Sequence, residues 1–147
     1  MAAAGRKGGM KSSSRPGHPS KSAARILRAA VVTIDEVRAF AMGLPRTHEA
    51  LVRDRVKFRV GRIVYVAFSR DETTMGFGFP KEWREVLVGS DPDKFMMPGQ
   101  SDLRYNWVLV RLAAIDAAEM RELVLDAWRM VVPKGVAADY EARASLE

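Results

Sequence analysis

The sequence predicts an α+β domain, an antiparallel sheet with helices packed on one face, in the order helix, three strands, helix, one to two strands, helix. Three observations predict it. Thr33 followed by Glu36 is a capping box ahead of an apolar helical repeat, residues 55–60 alternate cation with apolar residue at strand period, and Asp116 followed by Glu119 marks the start of another helix. Helices separated by a run of hairpin-connected strands favour an antiparallel sheet over a doubly wound one.

In the first helix Val32 and Val37 form a hydrophobic staple around the capping box, and Val37, Phe40, Ala41 and Leu44 repeat on one face. Gly43 and Pro45 end it, because proline cannot continue the hydrogen-bond ladder. The period then switches to two: Val56, Phe58 and Val60 alternate with Arg55, Lys57 and Arg59, which gives a strand with one apolar and one cationic face. Gly61-Arg62 reads as a two-residue hairpin loop leading to a strand from Ile63 to Phe68. A polar turn from Ser69 to Glu72 leads to a third strand at Thr74 to Phe79.

Pro80 fits the first turn of a short helix whose Trp83, Val86 and Leu87 are expected to point inward, closed by Gly89 and Asp91-Pro92. A weak extended stretch at Lys94 to Met97 and a strong strand from Asn106 to Leu112 follow. The next helix has Asp116 and Glu119 as capping box, and Met120, Leu123, Val124, Ala127 and Val131 as its apolar stripe. Pro133 and Gly135 are expected to stop it, and a ragged, partly helical C-terminus follows from Ala137; the domain runs over 32–140 and 141–147 form a frayed end. Residues 1–31, rich in Gly, Ser, Ala, Lys and Arg, read as a disordered basic tail.

A chain of 147 residues with 48% hydrophobic and 29% charged residues holds one core and no second domain. With no cysteine, disulfides, thiolate nucleophiles and Cys-based zinc sites are excluded, and a cytoplasmic location is expected. No run is long and apolar enough to span a membrane, and the first 32 residues lack the apolar stretch of a secretory signal, although an Arg- and Ser-rich, acid-free leader also resembles a mitochondrial transit peptide. Those 32 residues hold seven of the 24 basic residues and none of the acids, which leaves 17 basic against 18 acidic residues beyond them. The net charge of +6 is therefore a property of the tail, read either as a solubilising extension or as a nucleic-acid arm.

The most informative local feature is the cation row Arg53, Arg55, Lys57 and Arg59, which shares one face if the strand extends that far, with Arg62 in the hairpin loop. Residues 46–70 hold seven Lys or Arg against two acids. Such a ribbon can lie along phosphates; the same pattern also describes a solvated outer face whose charge blocks edge aggregation. Catalysis has little support. His18 lies in the tail and His48 reads as a residue of the loop after the first helix, while Asp91 and Asp93 flank a proline in a turn. Gly76-Phe77-Gly78 lacks the third glycine and the Lys-Ser or Lys-Thr of a phosphate loop. Trp83, Trp107 and Trp128 read as core aromatics, and Tyr105 with Trp107 could alternatively floor a groove for a small ligand. No metal or cofactor is expected.

With these elements in place, Thr33 to about Tyr140 resembles the MmcQ/YjbR family. The marks are Leu44-Pro45 after the first helix, the hairpin from Val56 to Phe68, the strand carrying Trp107, and the run from Trp128 into Pro133-Lys134. The resemblance implies a bacterial protein with a frataxin-like, double-wing fold and a DNA-binding role; the strand alternation and the hairpin loop, not the resemblance, offer Arg53, Arg55, Lys57, Arg59 and Arg62 as the positions to contact phosphates. Leu103-Arg104-Tyr105-Asn106 departs from the Asn-Lys pair and His that precede the Trp in typical members, so only Trp107 carries over. Asp35 and Glu36 are too few for the acidic ridge of an iron-binding frataxin relative.

Overall fold

The first helix, α1 (Ile34–Ala41), forms where the caps predict it. The Thr33 hydroxyl accepts from the Glu36 amide and the Glu36 carboxylate accepts from the Thr33 amide, both at 3.2 Å, so two orphan donors of the first turn are satisfied reciprocally. Val37 and Ala41 are fully buried and Leu44 nearly so. The computed structural model describes residues 32–146; the sequence-predicted basic tail lies outside the described residues.

The sheet has six antiparallel strands in the order β1-β2-β3-β4-β6-β5: β1 (Thr47–Val52), β2 (Arg55–Val60), β3 (Ile63–Phe68), β4 (Thr74–Gly78), β5 (Phe95–Met96) and β6 (Trp107–Arg111). The fold class is the α+β plan that the sequence predicts, with one strand more. β1 occupies the segment expected as a loop, and His48 is a strand residue opposite Arg59. The turn joining β1 to β2 is Arg53-Asp54, with φ of 52° and 65°, the type I′ geometry that matches the twist of a hairpin. The β2–β3 loop is Gly61-Arg62 as expected, with Gly61 at φ 59°.

Phe58, Val66, Phe68, Met75, Phe77, Val108 and Val110 are at most 2% exposed and share the face that joins α1 and the long helix α3 (Ala117–Arg129) in one core. The β2–β3 register skips Tyr65: Phe58 faces Val66 and Arg59 faces Val64. The bulge turns two consecutive side chains, Tyr65 and Val66, into the interior, where both are fully buried. Trp128 of α3 lies in the same core and its indole N–H donates to the Pro45 carbonyl at 2.9 Å, tying the end of α1's connection to the last core helix.

Three local expectations are overturned. In α2 (Arg84–Ser90) and the 3₁₀ turn before it (Lys81–Trp83), Trp83 is 63% exposed and Val86 66%, whereas Arg84 is buried at 7%. Polar groups from another segment make this possible: the Arg84 guanidinium donates to the carbonyls of Leu103 (2.9 Å), Tyr105 (3.0 Å) and Trp107 (3.1 Å). The capping box at α3 is half made. Asp116 accepts from the Glu119 amide at 2.8 Å, but the Glu119 carboxylate turns to the Lys94 ammonium at 2.9 Å instead of returning to the cap. Finally, the preceding helix ends at Arg129, ahead of Pro133 as expected, and the C-terminus expected to be only partly helical and frayed is a regular helix, α4 (Lys134–Ser145). Proline's fixed φ suits a helix start, and Tyr140 packs edge-on against Trp128 with centroids 5.3 Å apart, while Arg129 pairs with Glu141.

Candidate nucleic-acid interface

Strand β2 presents its side chains at about 6.8 Å intervals on each face. Val56, Phe58 and Val60 point toward the core, so Arg55, Lys57 and Arg59 are left on the face away from α1 and α3, in a row about 14 Å long. The neighbouring strands determine what flanks each cation. Lys57 lies between Ala50 and Ala67, Arg59 between His48 and Val64, and Arg55 opposite Val52. These small or uncharged partners give the row no cross-strand carboxylate to answer it.

Arg53 does not belong to that row. It sits in the type I′ turn at one end of β2, and Arg62 sits in the turn at the other end, so the two extend the row from its ends rather than from its face. Both are exposed, as are Arg55 and Arg59, and Lys57 is half-buried. Among the described residues none of the five is in an ion pair. The acid that might have quenched the ribbon, Glu49 on β1, is engaged on the other face. Arg38 of α1 grips it through Nε at 2.9 Å and Nη2 at 3.1 Å. That hydrogen bond, with the charges of Glu49 and Asp35 beside it, holds the Arg38 guanidinium above its ordinary pKa.

His48 is the contributor to the cationic face that sequence reasoning missed, because Thr47–Val52 shows no alternation of its own. Only its pairing with β2 reveals which of its residues share a face with the cations. The far ends of the ribbon are stiffened as well. In the β3–β4 turn the Asp71 carboxylate accepts from the Ser69 hydroxyl, the Thr73 hydroxyl and the Thr73 amide, at 2.7, 2.8 and 3.1 Å, and these bonds hold its pKa below the usual carboxylate range.

The other candidate residues lie at the opposite side of the sheet. Trp107 opens β6, and its indole lies across Gly76 of β4 so closely that a Cβ on Gly76 would sit 2.6 Å from two ring atoms. Tyr105 is 51% exposed, and the Arg104 guanidinium lies 4.8 Å from its ring centre. A cleft of about 340 Å³ lies elsewhere, between α1 and α3, lined by Glu36, Ala39, Phe40, Met120 and Arg121. Among the described residues no group of three or more His, Cys, Asp or Glu could hold a metal ion, and no helix is long and apolar enough to cross a membrane.

The YjbR family model matches residues 42–130, from the end of α1 to the end of α3. Among solved structures, the chain is similar to the crystal structure of the Deinococcus radiodurans protein DR2400, a DUF419 protein. The two share 23% identity with a TM-score of 0.61, over 71% of this chain and 82% of that one. At that identity the likeness speaks for the fold. No curated protein matches the chain. The family match spans the whole sheet, the cation row and the helix that covers the core, and this chain belongs to the YjbR family.

Proposed function

We propose that this protein is a DNA-binding module of the cytoplasm, not an enzyme, and that it holds phosphates through Arg55, Lys57 and Arg59 on β2, with Arg53 and Arg62 at the hairpin ends. The observation that carries the reading is the row itself: three cations on one strand face, flanked by two more at the turns, none of the five in an ion pair among the described residues. Like charges about 6.8 Å apart on an exposed strand repel only weakly in water, and an external anion that bridges them turns that repulsion into attraction. Phosphates do so, and the 14 Å row covers about four phosphates of one strand's axial rise. Lone His48, exposed and without a hydrogen-bonded partner among the described residues, gives general acid–base chemistry no dyad to work with, which favours binding over catalysis.

The test is the salt dependence of binding to duplex DNA. If each cation neutralises one phosphate, the combined Arg55→Gln, Lys57→Gln and Arg59→Gln exchange should make the logarithmic salt slope shallower by roughly 2.7. The fold should be unaffected because these side chains face away from the core. An unchanged slope with unchanged affinity would leave the row as a solvated surface and end the proposal.

A further inference from the structure

The face of the sheet away from α1 and α3 is more than a charged edge. Cross-strand partners line up in one continuous row through all six strands: Ala50, Lys57, Ala67, Gly76, Leu109 and Met96. On β2, β3, β4 and β6 these residues alternate with the core residues Phe58, Val66, Phe77 and Val108, so among the described residues the row lies on the face away from α1 and α3. Three of its six members are alanine or glycine, which keeps the middle of the face low. Trp107, partly exposed, rests in that low centre over Gly76, and neither it nor Leu109 nor Met96 packs into the core.

The major groove of duplex DNA admits a helix or a two-stranded ribbon, and a six-stranded face is too broad for it, although its cations can still meet duplex phosphates. The face can, however, receive unstacked bases. Sheets that recognise single strands combine cations that track the sugar-phosphate backbone with aromatic rings on which bases stack. Here β2, with its cations, and β4, with the glycine beneath Trp107, are two strands apart, about 10 Å. That span is comparable with one nucleotide from phosphate to base. The charge of the row and the ring beside it therefore complement the two halves of the same ligand.

We infer that the sheet face away from α1 and α3 is a platform for single-stranded nucleic acid, with Arg55, Lys57 and Arg59 on the backbone and Trp107 stacked against a base. This rests on the phosphate-binding reading above and adds the requirement for unpaired bases. It also accounts for Gly76, since any side chain there would displace the indole from the centre of the platform.

The experiment is fluorescence anisotropy of the full chain with labelled oligomers of one length, about 20 nucleotides: oligo-dT, oligo-rU, an abasic strand with the same phosphates, and a duplex. Oligo-dT or oligo-rU should bind at least about fivefold more tightly than the abasic strand, and an oligo-dU of the same length, set against oligo-rU, identifies the sugar. Trp107→Leu should lose about tenfold of that affinity while leaving abasic binding and the salt slope unchanged, and Trp107→Phe should restore most of it. Equal affinity for the base-bearing and abasic strands, a duplex bound more tightly than either single strand, or a Trp107→Leu protein that binds like its parent would overturn the inference. Each leaves phosphate binding standing, whereas wild-type affinity for the abasic strand in the triple Gln protein would remove the reading beneath it. If the Leu protein fails to fold, the abasic comparison and Trp107→Phe still decide the matter.

Discussion

Thr47 at the start of β1 and Tyr65 in the bulge of β3 share a hydrogen bond of 2.8 Å between their hydroxyls, both within the domain's interior. Burial pushes the Tyr65 phenol up to about 12, and the bond to Thr47 offsets only part of that. The folded pKa lies above the ordinary tyrosine value of about 10. The contribution to stability is thus complete below pH 10 and is lost as pH rises through 12, and two units correspond to roughly 2–3 kcal/mol. Tyr65→Phe should cost about 1 kcal/mol at pH 8, match the parent at roughly pH 11 and be the more stable of the two toward pH 12, because the phenol's loss exceeds the cost of the missing bond. Urea midpoints at several pH values check this; parallel curves would contradict it.

Asp54 occupies the left-handed region at φ 65° without being glycine. Asp54→Gly should relieve that conformation and raise stability by about 0.5–1 kcal/mol, a few degrees in thermal midpoint. It also removes an acid from beside the cation row, so DNA affinity should rise at low salt. A variant that melts lower than its parent would mean that the carboxylate, and not the backbone, governs this turn.

Arg84 is a buried cation answered by carbonyl dipoles, with no acid paired to it among the described residues. Arg84→Met should cost about 3 kcal/mol, because three carbonyls lose their donor at once. Arg84→Lys should recover part of the loss, a point charge being unable to reproduce the planar fork. Hydrogen exchange should show residues 103–107 loosening first; uniform loosening across the sheet would argue against a local clamp.

Glu119 is divided between two elements, its amide held by Asp116 and its carboxylate by Lys94, whose ammonium it keeps above the ordinary pKa. Asp116→Ala should cost about 1 kcal/mol as a lost cap. A double-mutant cycle should find coupling of about 0.5 kcal/mol between Lys94 and Glu119, and none between the Glu119 side chain and Asp116. Coupling to Asp116 would restore the full capping box that the sequence suggested.

What was legible in the sequence was whatever rests on local periodicity. The α1 capping box, the alternation of β2, the Gly61-Arg62 loop and the α3 stripe each draw on residues within one or two turns of each other. β1 was not legible because Thr47–Val52 mixes polar and apolar residues on both faces and is a strand by virtue of its pairing with β2. The Arg53-Asp54 turn carries neither the Asn nor the Gly that its geometry favours. In α2 hydropathy pointed the wrong way, since the groups that make Arg84's burial tolerable lie 19 to 23 residues downstream. The cations of the candidate site were readable one by one; the face they share with His48 and Trp107 follows only from the register of six strands.

The bond from Trp128 to Pro45 spans 83 residues of chain. On a ribosome adding about 5–20 residues each second, roughly 4–17 s separate the synthesis of its two ends. Throughout that interval the inner faces of α1 and the first hairpins exist without the helix that covers them. The nascent chain therefore carries Val37, Phe58 and Val66 without their cover for seconds, with the cations of β2 as charged gatekeepers beside the hydrophobic strand residues.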